Sequence, residues 1–177
     1  MEIVLAVMVV LAVAIVAWLS LAQSGEPPAP GKPAPDMRVV GLDGAEQSLS
    51  ALSGSRAAIV FHPQDNTPEC LAVVERLRAG APAAASAGAV LATVVVSGPE
   101  AARAYAAAHG EGLRVFCDPR GRAAKAYGAL TNLGFMKFAR KLIVVVDAHG
   151  RVERVWRDPV GPEQVDEALA ALARPAR

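Results

Sequence analysis

The chain is poor in the residues that staple or metallate small domains. Only two cysteines, Cys70 and Cys117, occur in 177 residues. They are too few for a disulfide framework and too far apart for a C-x-x-C redox pair. The three histidines, His62, His109 and His149, are scattered. No cluster has ligand spacing, so no metal site is expected, and no cofactor is expected either. Aromatic residues make up 5% of the chain and the net charge is +1. No basic block or basic–aromatic interleaving occurs, which leaves nothing to bind nucleic acid. Charge is missing altogether between Glu2 and Glu26, and the first lysine is Lys32.

What fills that uncharged stretch is apolar. Ile3 to Ala22 offers about 20 residues which, as a helix, span roughly 30 Å, the thickness of a bilayer core. Trp18 suits an interfacial anchor. The expectation is a single-pass membrane helix within residues 1–22. A cleavable signal is the competing reading, because Ser20-Leu21-Ala22 offers small residues to a peptidase, although a positively charged start is missing. Neither flank carries enough Lys or Arg to fix the orientation. Both readings favour export, so the domain is expected to be membrane-anchored and extracytoplasmic. Residues 23–35 contain Pro27, Pro28, Pro30, Pro33 and Pro35 and read as a semi-rigid spacer. That leaves 36–177 as one folded domain with a single core.

Within the domain, short apolar runs alternate with helical stretches. Met37–Val40 and Ser48–Leu52 flank a turn at Asp43-Gly44. Ala57–Phe61 is continuously apolar, as in a strand buried on both faces. Helix is expected over Leu71–Ala79, a strand over Ala89–Val96, and a helix to about Ala108 with Ser97 and Glu100 as a capping box. A short strand over Leu113–Cys117 and a helical segment over Gly121–Tyr127 follow. Leu142–Asp147 and Val152–Trp156 form a hairpin, and Pro162–Ala173 a final amphipathic helix. Such an order predicts an α/β fold, a central mixed sheet covered by helices on both faces.

One of the cysteines has a particular setting. Pro63-Gln64-Asp65-Asn66-Thr67-Pro68-Glu69-Cys70 links the apolar strand to a helix start. Unpaired N–H groups and a partial positive charge at a helix start stabilise a thiolate, so a lowered thiol pKa is expected. The pattern Pro-x-x-x-Thr-x-x-Cys resembles the active-site signature of peroxiredoxins. Gly31-Lys32-Pro33-Ala34-Pro35-Asp36, Cys117-Asp118-Pro119-Arg120-Gly121, Tyr127-Gly128 and Val144 to Val152 are similar to further family segments in the same order. The resemblance spans about Gly31 to Arg174 and implies a thioredoxin-like fold.

It also implies a thiol peroxidase of the alkyl hydroperoxide reductase and thiol-specific antioxidant type. Cys70 would attack hydrogen peroxide or a small organic hydroperoxide and become a sulfenic acid. Thr67 would orient the peroxide and Pro63 would wall off the sulfur. The family's arginine position is Lys141 here, with Arg140 just before it. Adjacent strand residues face opposite sides, so only one of the two can face Cys70 unless the register shifts. Cys117 reads either as a resolving thiol for Cys70 or as a small buried residue. The default is a one-cysteine cycle reduced by an external thiol or a thioredoxin-like partner. Family members often pair, so an oligomer is a further expectation. Two rival functions stand beside the peroxidase. One is a thiol–disulfide exchange protein, and the other a non-enzymatic redox sensor on the same fold.

Overall fold

The computed structural model describes residues 2–22, 25–157 and 159–174. The chain begins with helix α1 (Glu2–Ala22). Its described side chains are Val4 and Val7–Trp18, and those of Val7, Val10, Val13 and Val16 are exposed. Among the described residues no helix is long and apolar enough to cross a membrane. The expected span over Ile3–Ala22 lies partly outside the described side chains.

The domain is built on a seven-stranded sheet in the order β2-β1-β5-β4-β3-β8-β9. Its strands are β1 (Arg38–Val40), β2 (Glu46–Ser48), β3 (Ala57–Phe61), β4 (Val90–Val95), β5 (Arg114–Cys117), β8 (Leu142–Val146) and β9 (Val152–Arg157). Strands β3, β4 and β5 run parallel. The other pairings in the sheet are antiparallel. All five residues of β3 and of β8 are buried, as continuous apolar runs at the centre of a two-sided sheet must be.

Strand alternation sorts the core into two layers. Ala58 and Val60 of β3 and Ile143 and Val145 of β8 pack under helices α2 (Pro68–Ser86) and α5 (Pro162–Leu172). On the same face Val95, Val115 and Cys117 pack under α3 (Pro99–His109). Ile59, Phe61, Leu142 and Val144 point the other way. There they meet a 3-10 turn at Leu49–Leu52, the short helix α4 (Arg122–Ala126) and the hairpin of β6 (Leu130–Asn132) and β7 (Lys137–Ala139).

Several elements differ from the sequence reading. Helix α2 runs well past Ala79, through Pro82. Pro82 cannot donate to the carbonyl four residues back. Leu77, Ala81 and Ala84 are nonetheless buried on α2, and this burial carries the helix across the gap. Gly80 lets α5 approach closely, since a Cβ there would sit 2.3 Å from Leu169 Cδ1. The β6–β7 hairpin was not expected as a sheet element. The capping box at Ser97 is absent: Gly98 is the N-cap, and the Ser97 hydroxyl is buried without a hydrogen-bond partner. Pro99 does open the helix.

The proline-rich segment is laid along the domain from Gly31 onward. Gly31 N–H donates to the Val152 carbonyl at 2.7 Å, Val152 N–H to Lys32 at 2.9 Å, and Ala34 N–H to Gly150 at 2.8 Å. Gly128, at φ +72°, faces the linker directly, and a Cβ there would lie 2.6 Å from the Gly25 carbonyl oxygen.

Candidate active site

The end of β3 sets the site. After Phe61 the chain leaves the sheet at His62, turns through Pro63 to Asn66, and enters α2. Asn66 is at φ 51° and is the only non-glycine residue with positive φ among the described residues. Asparagine tolerates this left-handed conformation better than most residues. It lies between Asp65 and Thr67, where an Asx turn forms: Thr67 N–H donates to Asp65 Oδ1 at 3.2 Å. Thr67 is the N-cap of α2, Pro68 occupies the first turn, and Cys70 is the third helical residue.

Thr67 Oγ1 accepts from the Cys70 N–H at 3.3 Å and donates its hydrogen to Asp65 Oδ1 at 3.0 Å. The hydroxyl expected to grip peroxide is engaged with Asp65. The Cys70 thiol is 3% exposed. Burial pushes its pKa up, and a hydrogen bond to the Asp65 carboxylate pushes it further. The Thr67 hydroxyl and the charge of Lys141 act in the opposite direction and do not outweigh these two. The Cys70 thiol, and after it the bonds from Thr67, hold Asp65 below the ordinary carboxylate range. The direction is the reverse of the sequence expectation. A helix start contributes about 0.3–1 kcal/mol to an anion, which desolvation beside a carboxylate exceeds.

Arg140 and Lys141 lie just before β8 and fall on opposite parities when its register is extended back. Phe61 pairs with Leu142, and β3 and β8 stay in regular register from there to Ala57–Val146. His62 and Lys141 therefore follow opposite each other just beyond the last pair. Lys141 shares the parity of Ile143 and Val145, the face covered by α2, and its charge reaches both Cys70 and His62. Arg140 shares the parity of Leu142 and Val144, on the opposite face. Both residues also border a cleft of about 270 Å³ with Gly25, Pro27 and Gly128.

Two hollows meet at the Pro63 loop. A groove of about 480 Å³ lies between Pro63, Gln64, Val96, Met136 and Phe138. On the inner side is a recess of about 10 Å³, walled by Cys70, Val74, Tyr105, His62 and His109. Pro63 borders both. His62 is 2% exposed, and its Nε2 lies 2.7 Å from Tyr105 Oη while Nδ1 lies 2.9 Å from the Pro63 carbonyl oxygen. Burial pulls its pKa below the ordinary histidine range.

Cys117 is fully buried at the end of β5. Its Sγ donates weakly to the Gly41 carbonyl at 3.9 Å, and both cysteines are free. Val74 and Tyr105 pack against Cys117 and also wall the recess round Cys70. Among the described residues no group of three His, Cys, Asp or Glu is placed to hold a metal.

In the sequence Asp65 reads as an ordinary turn former and His62 as a solvated or core histidine, and Tyr105 is not singled out. Asp65, two residues before a capping threonine, carries the Asx signature that could have singled it out. Tyr105 is 43 residues from His62, and no local pattern joins them.

Residues 30–155 match the model of the AhpC/TSA family. No curated protein matches the chain. Among solved structures, the fold is similar to peroxidoxin BcpB from Mycobacterium tuberculosis, with TM-score 0.74 and 21% identity over 82% of this chain and 96% of that one. It is also similar to a PrxQ mutant from Xylella fastidiosa, with TM-score 0.72 and 16% identity over 84% and 97% of the two chains. A third similar structure is the bacterioferritin comigratory protein of Xanthomonas campestris, whose alkyl peroxide reduction activity has been described. It has TM-score 0.66 and 21% identity, covering 77% and 89%.

Proposed function

The chain belongs to the AhpC/TSA family of peroxiredoxin-type thiol peroxidases, and we propose that it reduces hydrogen peroxide or small organic hydroperoxides through a sulfenic acid on Cys70. The observation that carries this reading is the placement of Cys70 in the first turn of α2 with Thr67 and Asp65 bonded around it. The Asp65 carboxylate, which acts on the thiol, is the candidate acceptor for its proton. On arrival of a hydroperoxide, the sulfur attacks the terminal oxygen and the O–O bond breaks. The proton moves by way of Asp65 to the departing oxygen, which leaves as water or an alcohol. The Thr67 hydroxyl, released from Asp65, turns to the peroxide, and Lys141 offsets the developing negative charge. Lysine supplies charge without the planar fork of an arginine, so turnover is slower than with arginine at this position.

The groove beside Pro63, with Val96, Met136 and Phe138, gives an organic substituent an apolar wall. This feature supports organic hydroperoxides as substrates alongside hydrogen peroxide. Burial of Cys117 within an apolar cluster supports a one-cysteine cycle, in which an external thiol or thioredoxin-like protein reduces the sulfenic acid. The test is peroxide consumption with a small thiol reductant, comparing wild type with Cys70→Ser. Equal inactivity of the two under several reductants overturns the reading.

A second reading, a redox sensor that oxidises once and turns over slowly, is favoured by the raised thiol pKa of Cys70. Stoichiometric sulfenylation without turnover would select it.

The N-terminal segment is proposed to tether the domain to a membrane, on the extracytoplasmic side. The reading is supported by the absence of charge from Ile3 to Gly25 and by the exposed apolar side chains of α1. Carbonate extraction and protease accessibility of the full chain test both parts. Release into the soluble fraction overturns the tether.

A further inference from the structure

We infer that the Tyr105–His62 pair holds the Cys70 sulfenic acid in its neutral form and so limits its further oxidation. The inference rests on the peroxidase reading above and adds a positioning role for two residues outside the reacting group.

Hydrogen bonding fixes the direction of every proton in the pair. A carbonyl oxygen can only accept, so His62 Nδ1 carries the hydrogen that points to Pro63. The ring is neutral in its buried site, so Nε2 is an acceptor and the Tyr105 hydroxyl donates to it at 2.7 Å. The phenol has one hydrogen, and it is spent. Tyr105 walls the recess it shares with Cys70, and the charge of that sulfur acts on its phenol, so Oη has only lone pairs to offer there. His109 packs against the Tyr105 ring at 5.4 Å between centroids, and His62 at 5.3 Å, which holds the ring in place.

The recess of about 10 Å³ is large enough for about one oxygen atom. In the first oxidation, Cys70–SH and a hydroperoxide ROOH give Cys70–SOH and ROH. The sulfur gains the oxygen, the O–O bond breaks, and the thiol proton ends on ROH. A sulfenic acid whose oxygen enters the recess meets an acceptor and can donate to it: S–O–H to Tyr105 Oη, Tyr105 O–H to His62 Nε2, His62 Nδ1–H to the Pro63 carbonyl. Every donor in that chain has a partner. A sulfenate anion in the same place meets lone pairs and no donor. The second oxidation, in which Cys70–SOH and ROOH give Cys70–SO₂H and ROH, proceeds through the sulfenate. Favouring the protonated form slows it.

The test reads the ratio of the second oxidation rate to the first at graded hydrogen peroxide. Mass spectrometry separates dimedone-trapped sulfenic acid from sulfinic acid on Cys70. Tyr105→Phe keeps the ring and removes the acceptor, and the ratio is expected to rise about fivefold, the equivalent of one ordinary hydrogen bond. His62→Leu frees the tyrosine hydroxyl to donate to the sulfenate, and the ratio rises at least as far. If Tyr105→Phe alone fails to fold because it orphans Nε2, the double variant with His62→Leu removes both partners at once and carries the same expectation. An unchanged ratio in the folded variants overturns the inference and leaves the peroxidase reading standing. Absence of any trapped sulfenic acid on wild-type Cys70 overturns both.

Discussion

Cys70 and Cys117 share much. Both are free, both are buried, and burial raises both thiols. They lie on the same side of the sheet, with Val74 and Tyr105 near each. Their immediate partners differ. Cys117 ends a strand among Val95, Ala102 and Val115, with one long contact to a backbone carbonyl. Cys70 opens a helix, with a carboxylate and a hydroxyl in reach, a lysine charge nearby and a recess beside the sulfur. Burial and pKa direction are thus poor guides to which thiol reacts. The groups able to take its proton and receive an oxygen are better ones.

The sharpest way to break this comparison is to remove each sulfur. Cys70→Ser should cut peroxide consumption by at least about a thousandfold, as loss of a covalent nucleophile does in other enzymes. Cys117→Ala should leave Cys70 oxidation intact and cost about 1 kcal/mol in denaturant unfolding, through the small cavity it opens. Loss of turnover in a folded Cys117→Ala protein would make Cys117 a resolving thiol after all.

A smaller effect tests the partners. Asp65 is negative and favours the neutral thiol, so Asp65→Asn should lower the pH midpoint of Cys70 alkylation by iodoacetamide and speed alkylation at neutral pH severalfold. Peroxide turnover should nonetheless fall, because the proton acceptor is lost. A midpoint that stays put would remove Asp65 from the account. Lys141 works in the other direction. Lys141→Ala should raise the midpoint and slow oxidation severalfold, Lys141→Arg should speed it, and Arg140→Ala should change it by less than about twofold. The reverse ranking would mean that Lys141 does not face the sulfur.

The smallest expected effect is on stability. Both thiols are raised in the folded state above the ordinary 9.0. As pH climbs past 9.0 the unfolded chain releases thiol protons first and binds fewer protons than the native state, so stability falls. Below that value the two states match and no loss occurs. Urea unfolding at alkaline pH should show the decline, and Cys117→Ala should lessen it.

Much of this site could be read before the fold was seen. The continuous apolar runs of β3 and β8, the turn of Asp43-Gly44 and the strand–loop–helix setting of Cys70 are local signals, and the structure keeps them. Strand parity leaves Lys141 against Arg140 open in the sequence, and the register of β3 on β8, extended back past Leu142, favours Lys141 on the side of Ile143 and Val145. Other features could not be read, because their causes are not local. The direction of the Cys70 shift depends on how deeply the helix start is buried and on an Asp65 side chain folded back toward it. The Tyr105–His62 bond joins two elements that only the tertiary fold brings together. The β6–β7 hairpin has three-residue strands and a tip with Phe135 and Met136 exposed, so no apolar alternation marks it. Ser97 has the composition of a cap, yet Gly98 takes the position.

The pairing of Gly31–Ala34 with Gly150–Val152 bears on how the domain is handled in isolation. A soluble version truncated at residue 36 would strip a strap from the open flank of β9 and bare hydrogen-bonding groups that other copies can pair with. Pro33, which has no N–H to offer, helps make that strap a poor template for further addition. A version that starts at Gly25 keeps the flank covered, and the two should differ in their tendency to self-associate.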